Sequence, residues 1–130
     1  MPEESYPDHL RYHQEHDWAL VEGDEATLGI TWHAQDALGE LVHFEPPAVG
    51  AQIEKDASYG EIESVKAVSD LVAPLSGEVL EVNSEVVDAP ERVNEDPYGD
   101  GWLIRIRLAD PGELDALLDA EAYKALLASE

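Results

Sequence analysis

Between Trp18 and Leu108 the chain is a succession of short β-prone runs, each closed by glycine or proline within a few residues. Trp18 to Val21 and Ala26 to Thr31 flank Glu22-Gly23-Asp24-Glu25, and the Gly-Asp pair predicts a tight hairpin. Leu41 to Phe44 stops at Pro46-Pro47, and the stretch from Gly50 to Val82 is interrupted by Gly60, Pro74 and Gly77. Glu78 to Val82 predicts a half-buried strand. Trp102 to Leu108 alternates, placing Trp102, Ile104, Ile106 and Leu108 on one face and Leu103, Arg105 and Arg107 on the other. Helical signals lie outside these runs. His33 to Leu38 suits one or two turns ended by Gly39, and residues 88–101 form a long turn-rich stretch. Asp110-Pro111-Gly112-Glu113 predicts an N-cap, a proline at the first helical position and a capping box closed by Glu113. Leu114, Leu117 and Leu118 would form the apolar stripe of that helix, with Asp119 capping a second one that carries Tyr123, Leu126 and Leu127. Residues 1–12 predict an irregular lead-in and 110–128 a helical segment. Strands this short, with helices only at the edges, predict an all-β sandwich or small barrel with a helix pair laid outside. A chain of 130 residues fits one domain, 1–130.

The charge narrows the partners. Thirty acidic residues face seven basic ones, for a net charge of −23. Nucleic acid and anionic membranes are not expected partners, because binding either needs Lys and Arg to displace counterions. No apolar run approaches the length of a membrane span, and the first residues lack a secretory or organelle-targeting pattern, so a cytoplasmic protein is expected. Acids spread through the whole chain predict a halophilic surface, whose self-repulsion is screened by salt. Steering toward basic partner enzymes is the rival reading.

Chemistry is mostly absent. There is no cysteine, which excludes disulfides, thiolate metal sites and cysteine nucleophiles. No phosphate-binding loop, dinucleotide fingerprint, HExxH or GxSxG occurs, and no catalytic residue is expected. His9, His13 and His16 would share a face on a helix, but Pro7 and the strand that follows argue against one, so a solvated segment without a metal is expected. Asp88, Glu91, Glu95, Asp96 and Asp100 lack the spacing of a calcium loop.

Lys66 stands apart. It is one of three lysines, and in Gly60-Glu-Ile-Glu-Ser-Val-Lys-Ala-Val-Ser-Asp70 it falls where the tip of a hairpin would be. A turn lysine is ordinarily a solvated cation of little energetic weight. Here Val65, Ala67 and Val68 surround it, an odd setting for a tip that exists only to be wet. An amine on a rigid tip suits a modifying enzyme that reads shape, and acylation would exchange its charge for a long arm.

These residues resemble the lipoyl-attachment motif of the H-protein family of the glycine cleavage system. Gly50 lies sixteen residues before Lys66 and Gly77 eleven after it, the glycine frame of lipoyl carriers. Further segments similar to the family recur in order: HDW at His16 to Trp18, LGIT at Leu28 to Thr31, HAQDALGEL at His33 to Leu41, APLSGEVLEVN at Ala73 to Asn83, and NEDPYGDGW at Asn94 to Trp102. The resemblance spans about residues 12–128. Shorter lipoyl domains lack the DPYGDGW segment, and a biotin carrier would show Met-Lys-Met where Val65-Lys66-Ala67 stands.

The resemblance implies a barrel-sandwich hybrid with short C-terminal helices, and lipoic acid joined covalently to Lys66. It implies a monomeric, non-catalytic carrier that takes an aminomethyl group from a pyridoxal-phosphate glycine decarboxylase to a tetrahydrofolate-dependent aminomethyltransferase. A dihydrolipoamide dehydrogenase would reoxidise the arm, and a lipoylating enzyme would install it. A second role compatible with the same attachment is a relay that donates lipoate to other carrier domains. The acids matching the family's arm-docking cleft are Asp17 and Asp70. Two departures are visible: Asp17 stands where the family often has Glu, and Ala37 where some members have His.

Overall fold

The computed structural model describes residues 3–130. Arg11–Tyr12 (β1) leads into Asp17–Glu22 (β2), which turns at Gly23-Asp24 and returns as Glu25–Ile30 (β3). Gly23 sits at φ +66, open to glycine without steric cost, and the expected tight hairpin forms. Thr31 caps Trp32–Leu38 (α1) by accepting from the Ala34 N–H, and Gly39 ends the helix at φ +86. Leu41–Glu45 (β4), Gln52–Ile53 (β5), Ser58–Ser64 (β6), Val68–Val72 (β7) and Gly77–Val82 (β8) follow. Two five-residue helices, Ser84–Asp88 (α2) and Glu91–Glu95 (α3), precede Ile104–Leu108 (β9). A 3-10 helix at Pro111–Ala116 and the helix Ala120–Ala128 (α4) come last.

The strands make two antiparallel sheets, β1-β2-β3-β9-β8-β5 and β4-β6-β7. Neither closes into a barrel; they share one core, in keeping with the barrel-sandwich arrangement. Leu28, Ile30, Phe44, Ile62, Leu71, Leu75, Val79, Ile104 and Ile106 are buried there. Each contributes on the order of 1.5–3 kcal/mol of apolar burial. A second cluster joins the N-terminal segment to α4 through Tyr6, Leu10, Tyr12, Trp18 and Tyr123. Tyr12 stacks on Tyr123 with ring centroids 4.7 Å apart, and the Trp18 indole donates to the Pro97 carbonyl at 3.0 Å.

Several expectations are corrected. Residues 3–10 form no helix or strand, yet Tyr6 and Leu10 are buried, and Arg11–Tyr12 at the end of the lead-in pairs with β2. The turn-rich stretch contains α3 and the end of α2. Asn83 caps α2 by accepting from the Glu85 N–H while its Nδ2 donates to the carbonyls of Asp100 and Trp102. Leu103 is fully buried, because its N–H bonds the Leu28 carbonyl before regular alternation begins. Glu113 closes no capping box. Its carboxylate accepts from the N–H and hydroxyl of Ser76, both at 2.8 Å, which satisfies the backbone just before β8. The 3-10 helix stops at Ala116, so the leucine stripe splits and Leu118 bridges to Tyr12 instead.

The glycine frame has two different physical bases. A Cβ on Gly77 would overlap the Arg107 carbonyl across the β8–β9 pair, whereas Gly50 has open space but sits at φ +91. Gly77→Ala should therefore cost about 2–3 kcal/mol through overpacking. Gly50→Ala should cost about 1–2 kcal/mol through backbone strain alone. Urea unfolding of both variants checks this, and equal costs would mean that the close approach relaxes freely.

Candidate functional site

Residues 65–67 join β6 to β7. Ser64, at the end of β6, is buried, and its hydroxyl accepts from the N–H groups of Lys66 (3.2 Å) and Ala67 (3.1 Å). The same hydroxyl donates to the Ala67 carbonyl, which also receives the Ser64 N–H at 2.8 Å. Val65 donates its N–H to the Glu40 carbonyl, tying the tip to the chain that leaves α1. A buried serine thus organises a tip whose own side chains face water: Val65 is 68% exposed and Val68 59%. Lys66 is exposed, and among the described residues no carboxylate pairs with its ammonium.

The Lys66 stem crosses Gly39. Its Cε lies 3.6 Å from where a Cβ on Gly39 would stand. Asn94 on α3, not singled out as a site residue, holds that glycine in place. Its Nδ2 donates to the Gly39 carbonyl (2.9 Å) and to Gln35 Oε1 (3.0 Å), while its Oδ1 accepts from the Leu41 N–H (2.9 Å). Beside this junction is a cavity of about 250 Å³ lined by Gln35, Gly39, Asn94 and four exposed acidic residues, Asp36, Glu40, Glu91 and Glu95. Four acids in one neighbourhood favour a cation over an anion there. Its signal in the sequence was the NEDPYGDGW segment, which carries Asn94 and Glu95, but nothing there reveals that Asn94 reaches Gly39.

The two acids assigned to arm docking have different surroundings. Asp70, on β7, is exposed. Asp17 is buried, facing Tyr59, whose hydroxyl donates to it at 3.5 Å, and is hydrogen-bonded to the backbone of Val72. Val72 lies two residues beyond Asp70, so both acids attach to β7, one beneath it and one outside. Burial raises the Asp17 pKa well above the ordinary carboxylate range, and the contacts with Tyr59 and Val72 only partly offset this. The three N-terminal histidines do not converge. His13 bonds Asp56 at 2.6 Å, His16 turns toward Tyr123, and His9 is exposed. The five acids between Asp88 and Asp100 likewise form no cation cluster among the described residues.

A family model described as glycine cleavage H-protein matches residues 10–130. The chain belongs to that family. It is 52% identical over 125 residues to the glycine cleavage system H protein of Halorhodospira halophila, covering 95% of this chain and 96% of that one. It is 53% identical over 122 residues to the H protein of a Synechococcus species, covering 94% and 95%. The crystal structure of the H protein from Mycobacterium marinum superposes with a TM-score of 0.87 at 40% identity, covering 94% of this chain and 98% of that one. As a member of the H-protein family the chain is a carrier and not an enzyme, its cofactor is covalently attached lipoate, and it works with the other proteins of the glycine cleavage system.

The raised Asp17 pKa has a measurable consequence. Between the unfolded carboxylate value, near about 3.9, and the higher native value, the folded state binds more protons than the unfolded one. Stability attributable to Asp17 therefore falls as pH rises through that window. Asp17→Asn escapes this, so its stability relative to the parent should climb from pH 4 and level off above the native pKa. Urea midpoints of both proteins from pH 4 to 8 check it; a difference independent of pH would show that Asp17 is ionised throughout.

Proposed function

We propose that Lys66 is the residue to which the lipoyl group of this H-family carrier is attached. The observation that carries the reading is the clamped tip. Ser64 fixes the backbone on both sides of the lysine, no described carboxylate holds its amine, and the flanking Val65 and Val68 leave it open to an enzyme. An exposed primary amine on a rigid turn fits an amide-linked acyl arm, and amide formation removes the lysine's positive charge. When bound, the lipoyl group supplies the disulfide–dithiol chemistry that holds an aminomethyl group in transit from glycine.

This chain's own residues present, orient and shelter. The tip holds the anchor point of the arm at a constant position. The carboxylates of Asp36, Glu40, Glu91 and Glu95 set a negative potential beside that anchor, which favours a cationic amine. Asp70 offers a further exposed carboxylate on the strand leaving the tip, and Asp17 becomes a partner only where Tyr59 gives way. The specific partners we assign are a pyridoxal-phosphate glycine decarboxylase, a tetrahydrofolate-dependent aminomethyltransferase, a dihydrolipoamide dehydrogenase and a lipoylating enzyme. We also assign the protein to the cytoplasm as a monomer. Among the described residues no helix is long and apolar enough to cross a membrane.

The intact mass of protein from its own host should carry one lipoyl increment, mapped to the peptide Gly60 to Asp70 and absent in Lys66→Arg. An unmodified Lys66 in cells that lipoylate other proteins would overturn the assignment. Support of glycine decarboxylation by the loaded protein separates a shuttle from a lipoate relay.

We further read the net charge of −23 as a surface adapted to high salt. Screening shortens from about 10 Å at 0.1 M to about 3 Å at 1 M, which relieves repulsion among exposed acids. The melting temperature should rise steadily as sodium chloride approaches molar concentration, and a flat or falling profile removes the reading.

A further inference from the structure

A second constellation gathers where the turn before β2, the start of α1 and the end of α4 meet. His16 stands in the turn between β1 and β2, His33 in the first turn of α1, and Glu130 just beyond α4. His16 Nε2 is 3.6 Å from one Glu130 carboxylate oxygen, and His33 Nε2 is 3.8 Å from the other. The two imidazole centroids are 4.6 Å apart. One ligand atom from each of the three residues falls within 4.8 Å of the others. No other His or acid in the described chain gathers in this way.

We infer that His16 Nε2, His33 Nε2 and the Glu130 carboxylate form a binding site for one borderline divalent cation of the zinc class. Metal–nitrogen and metal–oxygen bonds of about 2.0–2.2 Å place tetrahedral ligand atoms roughly 3.3–3.6 Å apart; the two distances to Glu130 are already close to this, and ligand atoms that now lie within 4.8 Å of one another would draw together on binding. The side chains that must move are free to do so: Glu130 is exposed and His33 is only partly covered. His16, in contrast, is held. Its Nδ1 lies 2.8 Å from the Tyr123 hydroxyl, which in turn lies 2.9 Å from Thr31 Oγ1, and Tyr123 is fully buried. In the direction where Nδ1–H donates to Tyr123 and Tyr123 donates to Thr31, the lone pair of Nε2 is left facing Glu130 and His33. An imidazole fixed in tautomer and orientation by its second nitrogen is the usual support of a metal-ligating histidine.

The backbone is arranged to the same end. His16 takes φ +76, a left-handed conformation that is uncommon for a residue with a side chain. That turn brings the ring up to α1 and α4, and its N–H and carbonyl are both used, by His13 and Thr31 respectively. A plain ion-pair cluster accounts for the group less well. Glu130 attracts the imidazoles only when they are protonated, and two protonated rings this close repel each other.

The donor set selects the ion. Two imidazoles and one carboxylate favour zinc, nickel, cobalt or copper over magnesium and calcium, which prefer oxygen alone. This separates the site from diffuse cation binding by the acidic surface. Three protein ligands leave the remaining positions to water. Occupancy would pin the segment before β2, the start of α1 and the end of α4 to one point, and α1 is the helix whose other end lies under Lys66.

The test uses the full chain, stripped with chelator and titrated with zinc chloride by calorimetry in a large excess of magnesium. One saturable equivalent is expected, with a melting temperature raised by about 5–10 °C at a hundredfold excess over Kd. His33→Ala should weaken binding at least about tenfold, and Glu130→Gln should weaken it measurably. His43→Ala, which touches only the exposed pair with Glu45, should bind as the parent does. X-ray absorption of the cobalt or zinc form should show two imidazoles. His33→Ala and Glu130→Gln carry the result should a His16 variant fail to fold. No saturable equivalent above the magnesium background, or an unchanged affinity in His33→Ala, overturns the proposal.

Discussion

The side-chain amide of Asn94 is the contact on which the Lys66 region depends. Its donor and acceptor atoms reach the end of α1, the start of β4 and the buried Gln35 from the short helix α3. A five-residue helix has no independent stability, so these bonds and the burial of Val93 are what hold it in place. Once Gly39 is seated, the chain leaving α1 can offer the Glu40 carbonyl to Val65, and the lysine stem can lie over a position without a side chain. Lys66 is thus placed by a chain of short-range contacts that starts twenty-eight residues away in sequence, at Asn94.

The core and the surface answer to different demands. The buried set is ordinary: aliphatic residues between two sheets and an aromatic cluster that clamps the N-terminal segment onto α4. The surface carries nearly all of the charge, and some of its acids also make defined contacts. Glu113 on Ser76 and Asp56 on His13 each seal a junction between chain segments distant in sequence. His13 holds the Asp56 carboxyl below its ordinary pKa, with Lys55 adding to the effect. Electrostatics here organises solubility and encounter, while packing organises the fold.

What could be read from the sequence was local. The Gly23-Asp24 hairpin, the Gly39 helix end and the Asp119 cap all depend on residues within a few positions of one another, where turn and cap chemistry is decisive. What could not be read depended on long-range competition. Glu113 had a local capping partner and was taken instead by Ser76, thirty-seven residues away. Leu103 looked like an outward residue because alternation assumes a regular strand that begins only at Ile104. The helices α2 and α3 are too short to show a period, and are visible only through Asn83 and Asn94 bonding to distant carbonyls. His16, His33 and Glu130 share no spacing at all; topology alone brings them together.

The turn that presents Lys66 is closed by the main chain and by the Ser64 hydroxyl, without using the lysine amine. Replacing that amine by an amide thus removes no native contact and strains no backbone. On the proposed attachment to Lys66, empty and loaded forms would share one scaffold. Any protein that must tell them apart has to sense the arm or the lost charge directly, since the body that bears it carries no message.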